Sequence, residues 1–252
     1  MYHGIRIALK DTLIFAPVQD PQTILDIGTG TGIWAMDVAD AYPEAFVIGT
    51  DLSPIQPSYV PPNLHFEIAD ADEPWTFHQQ FDLIHCRLMN DFTLKSWPHY
   101  FHQAFDFAKP GAWVECHEFD YRRRSDDNTI AADSRLKFWE EEWTRGMERV
   151  GLKGFCHPDL VMEQMRTAGF IDVTKLEFKV PVGPWSKDPE LQQAGLFVMV
   201  SLLDGLHGLS VKIFTELLGY SVEELESLLA QCRQEVRSRA MHSYWTVYAS
   251  LS

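Results

Sequence analysis

The chain has 252 residues, 46% of them hydrophobic, and a formal charge of −15. That suits one large α/β domain with an inserted or appended cap. It argues against a nucleic-acid partner, since phosphate neutralisation needs a basic stripe and none is present. Cys86, Cys116, Cys156 and Cys232 stand far apart without C-x-x-C spacing, as buried small residues of a reducing compartment would.

A short helix is expected around Ile5–Leu9, then a turn toward Pro21. The start is abrupt, as if residues upstream were missing. Strand one is Thr23–Asp26, and a helix from about Thr31 is stopped by Pro43. Strand two is Ala45–Thr50, and strand three is Leu64–Ile68 after the Pro61-Pro62 break. Strand four is Phe81–His85. The next helix places Phe101, Ala104, Phe105 and Ala108 on one face and stops at Lys109-Pro110-Gly111. Strand five is Trp113–Phe119. Strands alternating with helices imply a parallel, doubly wound sheet.

After strand five the pattern becomes helical. Residues 133–150 carry Leu136, Trp139, Trp143, Met147 and Val150 on one stripe, with Glu140, Glu141 and Glu142 mostly off it. A helix from Pro158 ends at Ala168-Gly169, and strand six is Val173–Val180. Residues 190–218 read as two helices. Ser221-Val222-Glu223-Glu224 is a capping box opening a long helix that turns Leu225, Leu228, Leu229, Cys232 and Val236 inward. Strand seven is Ser243–Ala249. The most apolar stretch, Gly195–Leu209, is interrupted by Asp204 and His207 and reads as too short to span a bilayer, so no membrane is expected. Without an apolar leader the location expected is intracellular and cytoplasmic, with the nucleus as the alternative. Arg122-Arg123-Arg124, followed by Asp126 and Asp127, reads as a solvated loop.

One segment carries chemistry above the rest. Ile24-Leu25-Asp26-Ile27 is an apolar strand, Gly28-Thr29-Gly30-Thr31-Gly32 a glycine turn, and Ile33-Trp34 opens a helix. Asp51 follows at the tip of the second strand. Glycines let backbone close on a ligand, and an acid at that tip can accept two ribose hydroxyls, so a nucleotide-type cofactor is expected. The spacing is G-x-G-x-G; a dinucleotide fingerprint has G-x-G-x-x-G, and Ile33 occupies the place of its third glycine.

With Asp26 two residues ahead of the first glycine, D-x-G-x-G-x-G resembles motif I of the S-adenosylmethionine-dependent methyltransferases of the Rossmann-like class. Further phrases resemble their fungal LaeA-like branch: "VIGTDLSPIQPSYVPPNLHFEIADADEPW", "FDLIHCR" and "KPGAWVECHE", then "VPVGPW" and "YWTVYA". The resemblance implies a seven-stranded sheet of order 3-2-1-4-5-7-6. An N-terminal arm (1–22) would precede a methyltransferase domain (23–252) with helical cap segments at about 122–168 and 186–218. It implies S-adenosylmethionine as cofactor and S-adenosylhomocysteine as product. It also implies a small-molecule acceptor in fungal secondary metabolism, or else a regulator acting through a velvet-type protein partner. A third alternative is a cofactor-bound fold catalysing a step other than methylation.

For the site, the resemblance assigns the methionine and ribose portion to Gly28, Thr29, Gly30 and Gly32. Asp51 and Leu52 follow strand two, and Asp70 and Ala71 meet adenine. Asp26 orients the turn or receives the methionine ammonium through water. His85 and Arg87 lie beside the methionine moiety, Arg87 either on its carboxylate or paired with Asp82 or Asp91. A proton acceptor near the ends of strands four and five would be His117 or His85, with Glu118, Asp120 and His157 behind them. Trp139, Trp143, Phe155 and Trp185 suggest an aromatic acceptor pocket, with core packing as the alternative reading. His99 and His102 lack a carboxylate placed to complete a metal site, and no metal is expected.

Overall fold

The computed structural model describes residues 1–89, 94–152 and 157–252. Seven strands form one sheet of order β3-β2-β1-β4-β5-β7-β6: β1 Thr23–Ile27, β2 Phe46–Asp51, β3 Leu64–Ile68, β4 Phe81–Arg87, β5 Ala108–Arg124, β6 Thr174–Pro181 and β7 Tyr244–Leu251. The pairs β1/β2, β2/β3, β1/β4 and β4/β5 are parallel. Val114 and Ser252 exchange both backbone hydrogen bonds, at 2.7 and 3.1 Å, which marks β5/β7 as antiparallel.

The chain divides into two compact units. The sheet unit comprises Leu13–Glu118, His157–Leu176 and Tyr248–Ser252. In it α2 (Ile33–Ala41) begins directly behind the glycine turn, and α3 (Trp97–Phe107) packs with α5 (Pro158–Ala168). Strand alternation sorts the residues of β1, β4 and β5 onto two faces. Leu25, Ile27, Ile84, Cys86, Val114 and Cys116 join Tyr100, Phe101, Val161 and Met165 in the apolar core. The opposite face is polar at its centre. Asp26 pairs in register with His85, and His85 with Glu115, so one rung across three buried strands carries two acids and an imidazole.

The helical unit comprises Met1–Thr12, Phe119–Cys156 and Glu177–Val247. It holds α1 (Tyr2–Ala8), α4 (Arg135–Arg149), α6 (Pro189–Lys212) and α7 (Val222–Arg237). Helix α1 packs on α6, and α7 on both α4 and α6. The partition differs from the expected segments at two places: α5 belongs with the sheet, and α1 with the helices.

Three sequence expectations are corrected. The expected two helices of residues 190–218 are one continuous run, α6 (Pro189–Lys212) closed by a π-helical turn at Ile213–Leu217, with Gly205 and Gly208 inside it. The run Pro189–Leu217 is therefore long and apolar enough to cross a membrane by length and composition, contrary to the shorter reading of Gly195–Leu209. The arginine triplet is not a loop. It continues β5, because each of its side chains finds a carboxylate: Arg122 and Arg124 on Asp120, and Arg123 on Glu140.

Candidate cofactor and active site

The glycine turn is built by backbone sterics. Gly28 has φ +70°, and a Cβ there would lie 2.1 Å from Met89 Sδ. Gly32, φ +78°, caps α2, and its Cβ would meet the Phe66 ring at 2.2 Å. Side chains are excluded at both positions by conformation and by space. Among the described residues nothing lies within 4 Å of a Cβ placed at Gly30. The turn is tied to strand two at two points: Thr29 N–H donates to Thr50 O (2.8 Å) and Gly30 N–H to Asp51 Oδ2 (2.8 Å). The Gln56 amide donates to Gly30 O (2.6 Å), a contact no motif had flagged.

Asp51 also accepts from Ser53 N–H through Oδ1, at 2.9 Å. Each carboxylate oxygen has a second lone pair, so the group can hold the turn and still accept hydroxyls. Leu52, just beyond β2, and Ile68, the last residue of β3, are apolar yet mostly exposed. Asp70 Oδ1 accepts from Asp72 N–H (2.9 Å), and Ala71 O receives the Trp75 indole and the Gln103 amide, each at 3.3 Å. Glycines that exclude side chains, a Gly30 clear of neighbours among the described residues, an acid at the second strand tip and exposed apolar residues beside it fit an adenosyl ligand. Gly28, Thr29, Gly30, Asp51, Leu52, Asp70 and Ala71 converge on the loops following the first three strands.

Below the turn, Asp26 Oδ2 accepts from Thr29 Oγ1 (2.6 Å) and Oδ1 contacts His85 Nδ1 (2.8 Å). Burial pushes the Asp26 carboxyl up to about 7, against the Thr29 hydrogen bond and the charges of Arg87 and His117. The cationic end of a methionine moiety would relieve that buried acid. Arg87, at the end of β4, lies close enough to act on Asp26 and His85 through its charge. Asp82 is taken by Lys109 (2.8 Å) and by the backbone of Gln22 and Thr23, so it serves structure elsewhere. Asp91 lies outside the described residues.

His85 and His117 are each 1% exposed. The His85 ring stacks on Trp34 at 3.6 Å and 8°, and burial, followed by the charges of His117 and Arg87, lowers its pKa well below the usual value. His117 Nε2 is 2.5 Å from Glu115 Oε1. Glu115 also accepts from Phe15 N–H and Ala16 N–H, at 2.9 and 2.7 Å through Oε2. Burial raises the Glu115 carboxyl, but the charge and hydrogen bond of His117 outweigh it and hold the pKa below the ordinary value. Neither ring is therefore presented to an acceptor as expected of a base. Both are interior supports beneath the turn and the arm at Leu13–Ala16, because buried carboxylates on the same sheet face draw them inward. Glu118 accepts from Met89 N–H (2.9 Å), and Asp120 is held by Arg122 and Arg124.

The aromatic residues of the helical unit are corrected in part. Trp139 Nε1 donates to Ser210 Oγ (2.8 Å) and Trp143 Nε1 to Leu209 O (3.0 Å), and both rings are buried. They are core, with their polar atoms satisfied inside it. Trp185 is half-buried, donates to Ser243 O (2.8 Å) and lies against His242. Phe155 lies outside the described residues. Glu140, expected off the buried stripe, is inside it. Its spacing from Leu136 and Trp143, four and three residues, was the signal that could have found it.

Comparison with known proteins accords with this geometry. The family described as "Methyltransferase domain" matches residues 3–173. Methyltransferase pytC of Aspergillus terreus is 37% identical over 247 residues, 96% of this chain and 75% of that protein. The secondary metabolism regulator LAE1 of Cochliobolus heterostrophus is 33% identical, over 98% of this chain and 83% of its own length. Among solved structures, a methyltransferase from an antibiotic biosynthesis pathway of Anabaena variabilis superposes with TM-score 0.58 at 14% identity, covering 97% of this chain and 96% of that one. The fold and the glycine turn thus define a Rossmann-like methyltransferase. The chain belongs to the methyltransferase-domain family, as an S-adenosylmethionine-dependent enzyme of the fungal LaeA-like branch.

Proposed function

We propose that this enzyme methylates a small organic molecule in fungal secondary metabolism. One observation carries the reading: a glycine turn closed to side chains, tied to Asp51 at the neighbouring strand tip. Similarity to a methyltransferase along almost the whole chain supports it, as does a net charge unsuited to nucleic acid. When bound, the donor supplies a methyl group on a sulfonium that departs as a neutral thioether. Asp51 holds the ribose hydroxyls, Asp70 and the Ala71 N–H the adenine, and Leu52 its face. The turn at Gly28–Gly32 carries the methionine portion, with Asp26 toward its ammonium and Arg87 toward its carboxylate. Because the leaving group needs no acid, the protein's main task is alignment, which can supply about 7–11 kcal/mol. The location that goes with this role is cytoplasmic.

A second reading follows from the similarity to LAE1: a regulator that binds the cofactor and acts through a velvet-type partner, with the nucleus as its location. Incubation with methyl-labelled S-adenosylmethionine and extract from the producing organism separates them. Label in an organic-soluble metabolite is expected. Label confined to protein supports the regulator, and a cofactor-dependent product of unchanged mass supports a non-methylating reaction.

A further inference from the structure

The glycines of the turn before α2 are held in place by different means. Gly28 and Gly32 are wedged by the side chains of Met89 and Phe66. Gly30, at φ +59°, has no such wedge among the described residues. A glycine without neighbours rotates freely unless hydrogen bonds stop it. At Gly30 two bonds do so, one on each side of its α-carbon. Its N–H donates to Asp51 Oδ2 (2.8 Å), which fixes φ, and its carbonyl accepts from Gln56 Nε2 (2.6 Å), which fixes ψ.

The same two side chains hold Ser53 in the same way. Ser53 N–H donates to Asp51 Oδ1 (2.9 Å), and Ser53 O accepts from Gln56 Nε2 (2.9 Å). Asp51 thus takes both backbone amides and Gln56 serves both carbonyls, which clips the glycine turn to the loop after β2. A side-chain amide nitrogen carries two N–H donors, and the two carbonyls use both. Residues 52–55 and 57–59 are exposed, whereas Gln56 is half-buried, its side chain turned back onto a residue 26 positions earlier.

We propose that Gln56 is a positioning residue for the cofactor: by holding Gly30 and Ser53 through their carbonyls, it keeps both amides on Asp51 and aims the remaining lone pairs of that carboxylate at the ribose. The inference rests on the placement of the ribose at Asp51 given above. The chemistry of the clip requires a donor at this position. An ionised glutamate there would set its charge against two carbonyl oxygens and offer no N–H or O–H; protonated, it would offer one O–H. Facing carbonyl oxygens favours the protonated form. An alanine offers no donor at any pH.

The test is the affinity of the full chain for S-adenosylhomocysteine, by calorimetry at pH 8 and pH 5.5, with each variant compared to wild type at the same pH. Gln56→Ala should bind roughly tenfold more weakly at both, the loss expected for two amide hydrogen bonds. Gln56→Glu should share that deficit at pH 8 and narrow it to about fivefold or less at pH 5.5, where the introduced carboxyl regains a proton to donate. A side chain serving loop stability alone would move the melting temperature and leave the binding ratios unchanged. Affinity within about twofold of wild type in a folded Gln56→Ala protein overturns the proposal. A Gln56→Glu deficit equal at the two pH values overturns it as well, and this second comparison decides alone if Gln56→Ala does not fold. Asp51→Ala, measured alongside, separates two failures. Weak binding there with normal binding in both Gln56 variants refutes the role of Gln56 only. Normal binding in Asp51→Ala removes the ribose placement, and this inference with it.

Discussion

Asp26 links the site to pH. Its carboxyl keeps a proton up to about 7 in the folded chain and loses it near 3.8 when unfolded. The folded state therefore binds more protons between those values, and the resulting stability is present below about pH 4 and lost as pH rises through 7. Thr29, His85, Arg87 and His117 are the groups that act on it. Asp26→Asn should remove this dependence. In urea titrations of cofactor-free protein, the wild type should lose ground against the variant from pH 4 to about 7 and then run level with it at higher pH; parallel curves below pH 7 would refute the assignment. Asp51→Ala acts differently. It strands the Gly30 and Ser53 amides and removes the ribose acceptor, so affinity for S-adenosylhomocysteine should fall roughly ten- to hundredfold, given about 1.5–3 kcal/mol per charged hydrogen bond. Unchanged calorimetric affinity in a folded Asp51→Ala protein would count against its role. Asp51 was legible because glycine spacing and strand tips are local patterns. Glu115 and Arg123 were not, since their partners lie far along the chain or were read as surface residues. A charged residue in an apolar run declares nothing until the opposite charge is located.

Elements were legible where one face is apolar and the ends are punctuated. The seven strands fall within a few residues of expectation except β5, which starts five residues before Trp113 and runs five past Phe119; Ala108, expected on the helix face, and Lys109-Pro110-Gly111, expected as the helix stop, lie in this strand because the helix already ends at Phe107. Residues 190–218 were read as two helices, whereas burial of Ala194, Val198, Leu202 and Leu206 along one side holds α6 as a single helix. Two element-scale tests follow. Gly32→Ala forces an L residue to positive φ and drives a methyl into Phe66, at a combined cost of about 2–4 kcal/mol. A melting temperature within a degree of wild type would contradict that. The second concerns the start of α4, capped from outside: the Glu235 carboxylate on α7 accepts from Ser134 Oγ (2.6 Å), Arg135 N–H (2.7 Å) and Leu136 N–H (3.1 Å). Glu235→Ala should cost about 2–3 kcal/mol, while Glu223→Ala, exposed on the same helix, should change little. Chemical denaturation of both variants compares them directly.

For the whole molecule, composition indicated class and hydrophobic periodicity indicated the layers, but the division into units was hidden because each is assembled from three separated segments. The residues assigned to cofactor all belong to the sheet unit. Hydrogen exchange with saturating S-adenosylhomocysteine should therefore slow at residues 26–32, 51–56 and 70–72, and leave α4 and α7 at their free rates. Equal protection across both units would refute that localisation.

The bonds from Phe15 and Ala16 to Glu115 join positions a hundred residues apart. On a ribosome, the opening arm must wait for the fifth strand to emerge before its amides find their acceptor. Until then Trp34 and the imidazole stacked on it lack a finished floor. Newborn chains should thus acquire ligand affinity late and all at once, and chains stalled short of that strand should hold none.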